Sequence, residues 1–599
     1  MDHGDAVAKA LNGLVDSDAV QALAAIKRCV QSVESERSVA FARAVVSDVI
    51  YSYWSGLRAV FRGLDELREL PLDLDAAYPH GSSVDGLART IGQAAARLDA
   101  TQAGYAVGSI YTGLLPKRFR AVHGAYYTPP ALCERLLDLA EAAGVDWSSA
   151  RVLDPACGGG AFLAPVARRM VEALGCRPPA AVLSDIQGRL AGFELDPFAA
   201  WMSQVFLDAA LVELCNGPDI RLEPVVQVSD SLERHKPQDR FDLVIGNPPY
   251  GRVKLSPELR AAYQRSLFGH ANLYGVFTDL ALRHTQSGGV IAYVTPTSFL
   301  SGEYFKALRG LLGREAPPIA IDFISQRKGI FADVLQETML AVYQRSGGSI
   351  IGHAHLMSPE PDGVIGTEPI GSFKLPDPPA QPWLIPRAAS QVSVLRRAQD
   401  LPFRLCDYGY TVSTGPLVWN RHKSSLRRNP GKGRFPLVWA ESVRPDGAFE
   451  FRAERHNHQP YFQPTPREHW VVTDCACALV QRTTAKEQAR RLVAAELPSW
   501  FIEEHGAVVV ENHLNMIKPL KGSPKVSPAA LVALLNSEAV DQVFRCINGS
   551  VAVSAYELQA LPLPAPDDMK EMERLVRSRA DRETLEREAE RLYSRRNMG

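Results

Sequence analysis

The stretch FDLVIGNPPYGRVK, residues 241–254, joins an apolar run to a stiff polar loop. Phe241 to Gly246 read as a core strand, because a short continuous apolar run bounded by turn residues suits a strand covered on both faces. The loop that follows holds an amide (Asn247), two prolines (Pro248, Pro249) and an aromatic ring (Tyr250). Asn247 offers a side-chain carbonyl and Pro248 a backbone carbonyl, and the pyrrolidine ring fixes the φ of its residue. Two acceptors held close together suit the two protons of a planar exocyclic amino group. Such a nitrogen is a poor nucleophile, since its lone pair is conjugated with the ring. Acceptors on its protons favour pyramidal geometry and stabilise the positive charge that develops during attack, without a general base. Tyr250 can then stack on the base. A plain proline-rich turn is the competing reading, and the strand running directly into Asn-Pro-Pro-aromatic disfavours it.

Outward from this strand, short apolar runs alternate with helical stretches. The runs are RVL (151–153), AGFEL (191–195), VVQVS (225–229), FDLVIG (241–246), GVIAYV (289–294), IDFI (321–324) and TMLAVY (338–343). Segments such as AFLAPVARRMVEAL (161–174) and NLYGVFTDLALRHT (272–285) lie between them. This alternation predicts an α/β fold with a mainly parallel, doubly wound sheet. Ligands in such sheets bind at the carboxyl ends of the strands.

Polar motifs stand at those ends. VLDPACGGGAF (152–162) ends a strand at Asp154 and turns through Gly158–Gly160 into a helix, so a ligand can approach the backbone closely. Alone, such a loop also fits a dinucleotide site or a simple turn. GFELDP (192–197) places Glu194 where a carboxylate can accept hydrogen bonds from both ribose hydroxyls. Asp196 is better suited to capping the next helix. VSDSL (228–232) ends the third strand with Asp230, a partner for an adenine amino group or a helix cap.

The order and identity of these motifs resemble the gamma-class DNA adenine-N6 methyltransferases of bacterial restriction–modification systems, which use S-adenosylmethionine. The resemblance covers about residues 120 to 346 and includes HGAYYTPPALCERLLDL (123–139), similar to the family's Tyr-x-Thr-Pro segment. It implies a Rossmann-like catalytic sheet and a set of roles. Thr128 and Asp154 would meet the methionine part of the cofactor, Ala156 and Gly158 would lie along it, Glu194 would bind its ribose and Asp230 its adenine. Asn247 and Pro248 would grip the target amino group, Asn247 also bordering the cofactor, and Tyr250 would stack on the target base. Phe331, in GIFADVLQETMLAVY (329–343), would meet the far side of the extruded base. The spacing from Asp154 to Glu194 is long for the family, with GCRPPAAVLSDIQ (175–187) expected as an extra loop. A base inside a duplex must be flipped out, at a cost of a few kcal/mol.

The chain has 599 residues, a formal net charge of −1 and 46% hydrophobic residues, enough for several domains with ample cores. No run is long and apolar enough for a membrane span, and the acidic start lacks a signal-peptide pattern. Nine cysteines without a CxxC pair read as reduced thiols in a cytoplasmic protein, not as a metal or disulfide frame. Residues 1–118 are expected to be helical, since Val46, Ile50, Trp54, Leu57, Phe61 and Leu64 recur at helical spacing. No Asp…Glu-x-Lys nuclease pattern stands out there. The catalytic domain is expected over 119–346, a Gly/Pro-rich linker over 347–385, a mixed α+β target-recognition domain over 386–565 and a charged helix over 566–599.

Within the expected recognition domain, WNRHKSSLRRNPGKGR (419–434) carries six Lys or Arg residues and no acid. Arg421, Lys423, Arg427, Arg428, Lys432 and Arg434 are therefore the DNA-binding candidates, as such a loop can lie along phosphates. The segments ENHLNMIKPL (511–520) and NGSVAVSAYELQALPLP (548–564) resemble target-recognition domains of large adenine methyltransferases and type I specificity subunits. The expected partners are double-stranded DNA and a cognate restriction endonuclease or defence subunit. The competing functions are cytosine-N4 transfer, where Ser is commoner than Asn at position 247, an RNA-base or protein-glutamine methyltransferase, and a non-catalytic specificity protein. Glutamine methyltransferases share Asn-Pro-Pro-Tyr but are much shorter, and the complete motif set argues against a dead scaffold.

Overall fold

The computed structural model describes residues 21, 24–26, 38–74, 83–116, 118–120, 127–215, 221–325, 337–347, 351–359, 365–484, 488–520, 522, 524–547 and 552–594. All seven apolar runs form strands: β1 Val152–Asp154, β2 Leu190–Glu194, β3 Val226–Val228, β4 Phe241–Gly246, β5 Thr285–Pro296, β6 Pro318–Ile324 and β7 Thr338–Gln344. Two more, β8 Ile351–Pro359 and β9 Ile365–Lys374, complete one sheet in the order β9-β8-β6-β7-β5-β4-β1-β2-β3. The pairs β1/β2, β2/β3, β1/β4 and β4/β5 are parallel. Strand β7 enters antiparallel between β5 and β6. Winding reverses at β1/β4, so a crevice opens there at the carboxyl ends, where ligands of open α/β sheets bind.

Helices cover the sheet. They include α1 Ser38–Val60, α2 Ser83–Ala95, α3 Ala100–Leu114, α4 Pro130–Ala142, α5 Leu163–Leu174, α6 Pro179–Arg189, α7 Pro197–Ala210 and α8 Leu273–His284. The periodic residues Val46, Ile50, Trp54 and Leu57 are buried on α1, which ends at Val60, before Phe61 and Leu64. Helices α1–α3 do not form a module of their own. Tyr53 meets Phe206 of α7 at 5.5 Å between centroids, and both belong to the hydrophobic core that also holds Val152, Leu243 and Val290 of the sheet.

Three sequence expectations are corrected. Residues 347–385 are not simply a linker, because β8 pairs in parallel with β6 from His353 to Met357 and β9 forms the sheet edge. Backbone pairing at a sheet edge overrides a composition rich in turn residues. Residues 175–187 are not a loop. Pro179 starts α6, and Val182, Leu183 and Ile186 are buried on one helical face. The charged tail is two helices, Lys570–Arg577 and Arg582–Ser594, broken near Arg579, whose φ is +55°.

The chain divides into two compact units, Met1–Pro296 with Ala307–Glu368, and Thr297–Lys306 with Pro369–Gly599. The second unit contains an antiparallel four-stranded sheet (Tyr410–Thr414, Leu514–Pro519, Cys477–Gln481, Ala494–Leu497) and a five-stranded sheet built around Phe435–Val438 and Val508–Val510. Its helical core includes Leu531, Phe544, Met572 and Tyr593. Among the described residues no helix is long and apolar enough to cross a membrane.

Candidate active site

A cavity of about 310 Å³ opens at the β1/β4 reversal, within the size range of small-molecule sites, about 300–1,000 Å³. Thr128, Asp154, Ala156, Gly158, Glu194, Asp230 and Asn247 all line it. The strand ends bring together residues separated by up to 119 positions.

Asp154 closes β1 and is 1% exposed. Its Oδ1 accepts from Ala156 N–H at 3.1 Å, whereas Oδ2 is buried with no hydrogen-bond partner among the described residues. Burial pushes its carboxyl up to about 8, partly opposed by the Ala156 N–H and reinforced by Glu194. Gly158 takes φ +53°, a conformation costly for other residues, and its N–H donates to Glu194 Oε2 at 2.9 Å. Glu194 Oε1 accepts from Asp196 N–H at 2.9 Å. Burial raises the Glu194 pKa, and these two backbone donors act against it. Asp196 caps α7 through Phe198 N–H at 3.0 Å, as its position implied. Asp230 caps the short turn Ser231–Arg234 through Leu232 N–H at 2.9 Å while still lining the cavity.

Beyond β4, Asn247 Nδ2 donates to Thr128 Oγ1 at 3.1 Å, which ties two of the expected site residues directly. The Tyr250 hydroxyl donates to Asn247 Oδ1 at 2.7 Å and lies 3.3 Å from the Val294 carbonyl. Its ring meets Tyr274 edge-on at 6.0 Å. Burial raises the Tyr250 pKa well above the usual phenol range, so it remains a donor. A carbonyl oxygen has two lone pairs, so Asn247 Oδ1 keeps acceptor capacity beside Tyr250. Pro248 is buried and Pro249 lines the cavity. Phe331 lies outside the described residues.

The structure adds contributors that sequence reading missed. Tyr111 and Phe119, from the helical region, form part of the cavity wall. Arg43 of α1 donates to Asp196 Oδ1 at 2.8 Å and the Tyr111 hydroxyl to Asp196 Oδ2 at 3.1 Å. Only a contact between distant segments reveals these. Tyr127 and Ser229 also line the cavity. Both lay within quoted motifs, one residue before Thr128 and Asp230, and adjacency was the only available signal.

Among the described residues, the lining contains the acidic side chains of Asp154, Glu194, Asp196 and Asp230 and no Lys, Arg or His. Multiply charged phosphates would be repelled there. A cationic ligand with an ammonium group, ribose hydroxyls and an adenine amino group would satisfy the unpaired Asp154 oxygen and the other acceptors. S-adenosylmethionine has that set of groups, so the residues present fit it.

The basic segment lies in the second unit. Arg421, Lys423, Arg428 and Lys432 are exposed. Lys423 Nζ lies 5.7 Å from the Trp419 ring centroid. Arg427 bonds Gln463 Oε1 at 3.0 Å and the Ser424 and Leu426 carbonyls, while Arg434 bonds the Asn429 carbonyl at 3.0 Å. These last two cations are therefore engaged in holding the loop.

Comparison with known proteins agrees with this geometry. Residues 214–331 match the family described as Eco57I restriction-modification methylase. The type II methyltransferase M.BsuBI of Bacillus subtilis is 26% identical over 336 residues, 55% of this chain and 67% of that protein. M.PstI of Providencia stuartii is 26% identical over 351 residues, 57% and 68% of the respective chains. The type IIL restriction-modification enzyme MmeI, solved in complex with DNA, shares the fold with a TM-score of 0.52 and 14% identity, over 97% of this chain and 96% of that one. Residues 214–331 thus resemble the Eco57I restriction-modification methylases, and the cavity that this segment helps to form has the groups to fit S-adenosylmethionine.

Proposed function

We propose that this protein is a site-specific DNA methyltransferase that modifies the N6 amino group of a flipped-out adenine in duplex DNA, within a restriction–modification or phage-defence system. The observation that carries the reading is the Asn247–Tyr250 loop, set directly after β4 at the sheet's reversal point and joined to the cofactor cavity by the Asn247–Thr128 hydrogen bond.

S-adenosylmethionine supplies an electrophilic methyl group on a sulfonium. The chain's own residues hold and orient the two reactants. Glu194, fixed by the Gly158 and Asp196 N–H groups, presents its remaining lone pairs to ribose hydroxyls. Asp154 directs its unpartnered Oδ2 toward an ammonium group. Asn247 Oδ1 and the Pro248 carbonyl accept the protons of the target amino group and stabilise the charge that grows on nitrogen. Tyr250 keeps the Asn247 amide in place through its hydroxyl and offers its ring to the base. Stacking and phosphate contacts offset the cost of extrusion. Residues 386–565 read the sequence, and the exposed cations of 419–434 track the backbone. A restriction endonuclease of the same specificity is the expected functional partner, and such systems act in the cytoplasm.

Long-read sequencing of DNA from cells expressing the protein, against an Asn247→Ala control, tests this reading. N6-methyladenine at one motif, missing in the control, is the expected outcome. Modified cytosine would replace the adenine assignment, and unmodified DNA would overturn the substrate class.

A further inference from the structure

Tyr127 occupies the variable position of the Tyr-x-Thr-Pro segment, and nothing in that pattern assigns it a role. Its ring is clamped between two glycines. A Cβ on Gly108 of α3 would come within 2.0 Å of the ring, and a Cβ on Gly159 of the glycine loop within 2.1 Å of the hydroxyl oxygen. No side chain fits at either position, so the backbones of both glycines pack directly against the ring and its hydroxyl. That hydroxyl is completely buried and has no hydrogen-bond partner among the described residues, and Tyr127 belongs to the cavity wall. Glu194 and Asp196 are among its electrostatic neighbours. A buried hydroxyl without a partner opposes folding. Phenylalanine would fill the same slot without that cost.

We propose that Tyr127 is a further cofactor-binding residue, its hydroxyl pairing with a polar group of the bound S-adenosyl amino acid in the half that joins ribose to methionine. The inference rests on the cofactor assignment above. The rigid slot makes the interaction preorganised, so little side-chain entropy is lost on binding. Tyr127 joins Asp154, whose Oδ2 is likewise unpaired, as a polar atom that the folded chain leaves unsatisfied at the cavity wall.

Tyr127→Phe isolates the hydroxyl. Titration calorimetry with S-adenosylhomocysteine and with methylthioadenosine, which lacks the amino-acid part, reads the effect alongside the thermal midpoint of the ligand-free protein. The expected result is about 3- to 10-fold weaker binding of S-adenosylhomocysteine, the range of one neutral hydrogen bond, with an unchanged or higher midpoint. An equal loss for methylthioadenosine places the contact on the nucleoside, and a loss confined to S-adenosylhomocysteine places it on the amino acid. Undiminished affinity for both ligands overturns the inference. If the wild-type protein itself binds neither ligand, while remaining folded, the cofactor assignment fails instead.

Discussion

Asp154 gives the site a pH signature. Its folded pKa, about 8, stands above the ordinary aspartate range because the group is buried. A raised folded pKa contributes stability that is fully present below the unfolded pKa and is lost as pH rises through the folded one. Between the ordinary aspartate range and about pH 8, the ligand-free protein therefore loses this contribution steadily. An ammonium group beside Oδ2 requires the ionised form, so cofactor binding expels a proton across the same window. Affinity should rise by up to about tenfold per pH unit from 6 to about 8 and then level off. Calorimetry in buffers of different ionisation enthalpy should detect about one proton released near pH 6.5, and Asp154→Asn should show weaker binding with no such slope. At Asn247 the expectation differs. Asn247→Ala should retain cofactor affinity within about threefold and lower single-turnover methyl transfer by about 10²-fold or more, as for loss of a charge-stabilising group. Near-normal transfer would remove Asn247 from the chemistry. Asn247, Asp154 and Glu194 were legible in sequence because each stands at or directly after the end of its strand, and strand ends converge by topology. Tyr127 was not, since an unsatisfied hydroxyl becomes visible only when every neighbouring atom is placed.

At the scale of elements, the helical region is bound to the catalytic sheet by ion pairs as well as by apolar packing. Arg68, beyond α1, grips Asp208 of α7 through Nε and through Nη2, the latter at 3.0 Å, and its Nη2 also reaches the Leu222 carbonyl. Asp208 is almost fully buried and receives a further hydrogen bond from Gln204 at 3.0 Å. Its pKa is nevertheless raised, so the burial penalty exceeds what its partners return. Removing Arg68 strands that carboxylate, and breaking such a buried pair costs about 3–5 kcal/mol. Arg68→Ala should fall near about 3 kcal/mol, because Gln204 and Arg221 remain near the carboxylate. Urea denaturation measures this, and a loss under about 1 kcal/mol would mean that packing alone attaches the region. Most of the seven strands were readable because their runs are largely apolar and buried, whereas β3 is an edge strand with Gln227 and Val228 exposed. Strands β8 and β9 were not, since IGHAHLMSP and IGTEPIGSFK owe their form to backbone pairing at the edge of a sheet that local composition does not encode. Likewise, α6 was hidden by its prolines, which open the helix rather than break it.

For the whole molecule, a net charge of −1 means that attraction to DNA must come from local fields rather than from overall charge. The structure separates the six cations of 419–434 into two groups by what they already hold. Arg427 and Arg434 bond to loop carbonyls and Gln463. Arg421, Lys423, Arg428 and Lys432 are exposed. Each cation that neutralises a phosphate adds about 0.9 to the slope of log affinity against log salt for duplex DNA. Replacing Arg421 and Lys432 together with alanine should therefore weaken binding at low salt and flatten that slope by about 1.8. The loss should be the same for DNA with and without the methylation motif, because phosphate contacts carry no sequence information. Arg427→Ala should instead leave the slope unchanged and lower the thermal midpoint, since its hydrogen bonds support the loop from within. Fluorescence anisotropy from 50 to 200 mM salt distinguishes the two classes. If the double variant keeps the wild-type slope, this loop does not follow the DNA backbone, and other cations do.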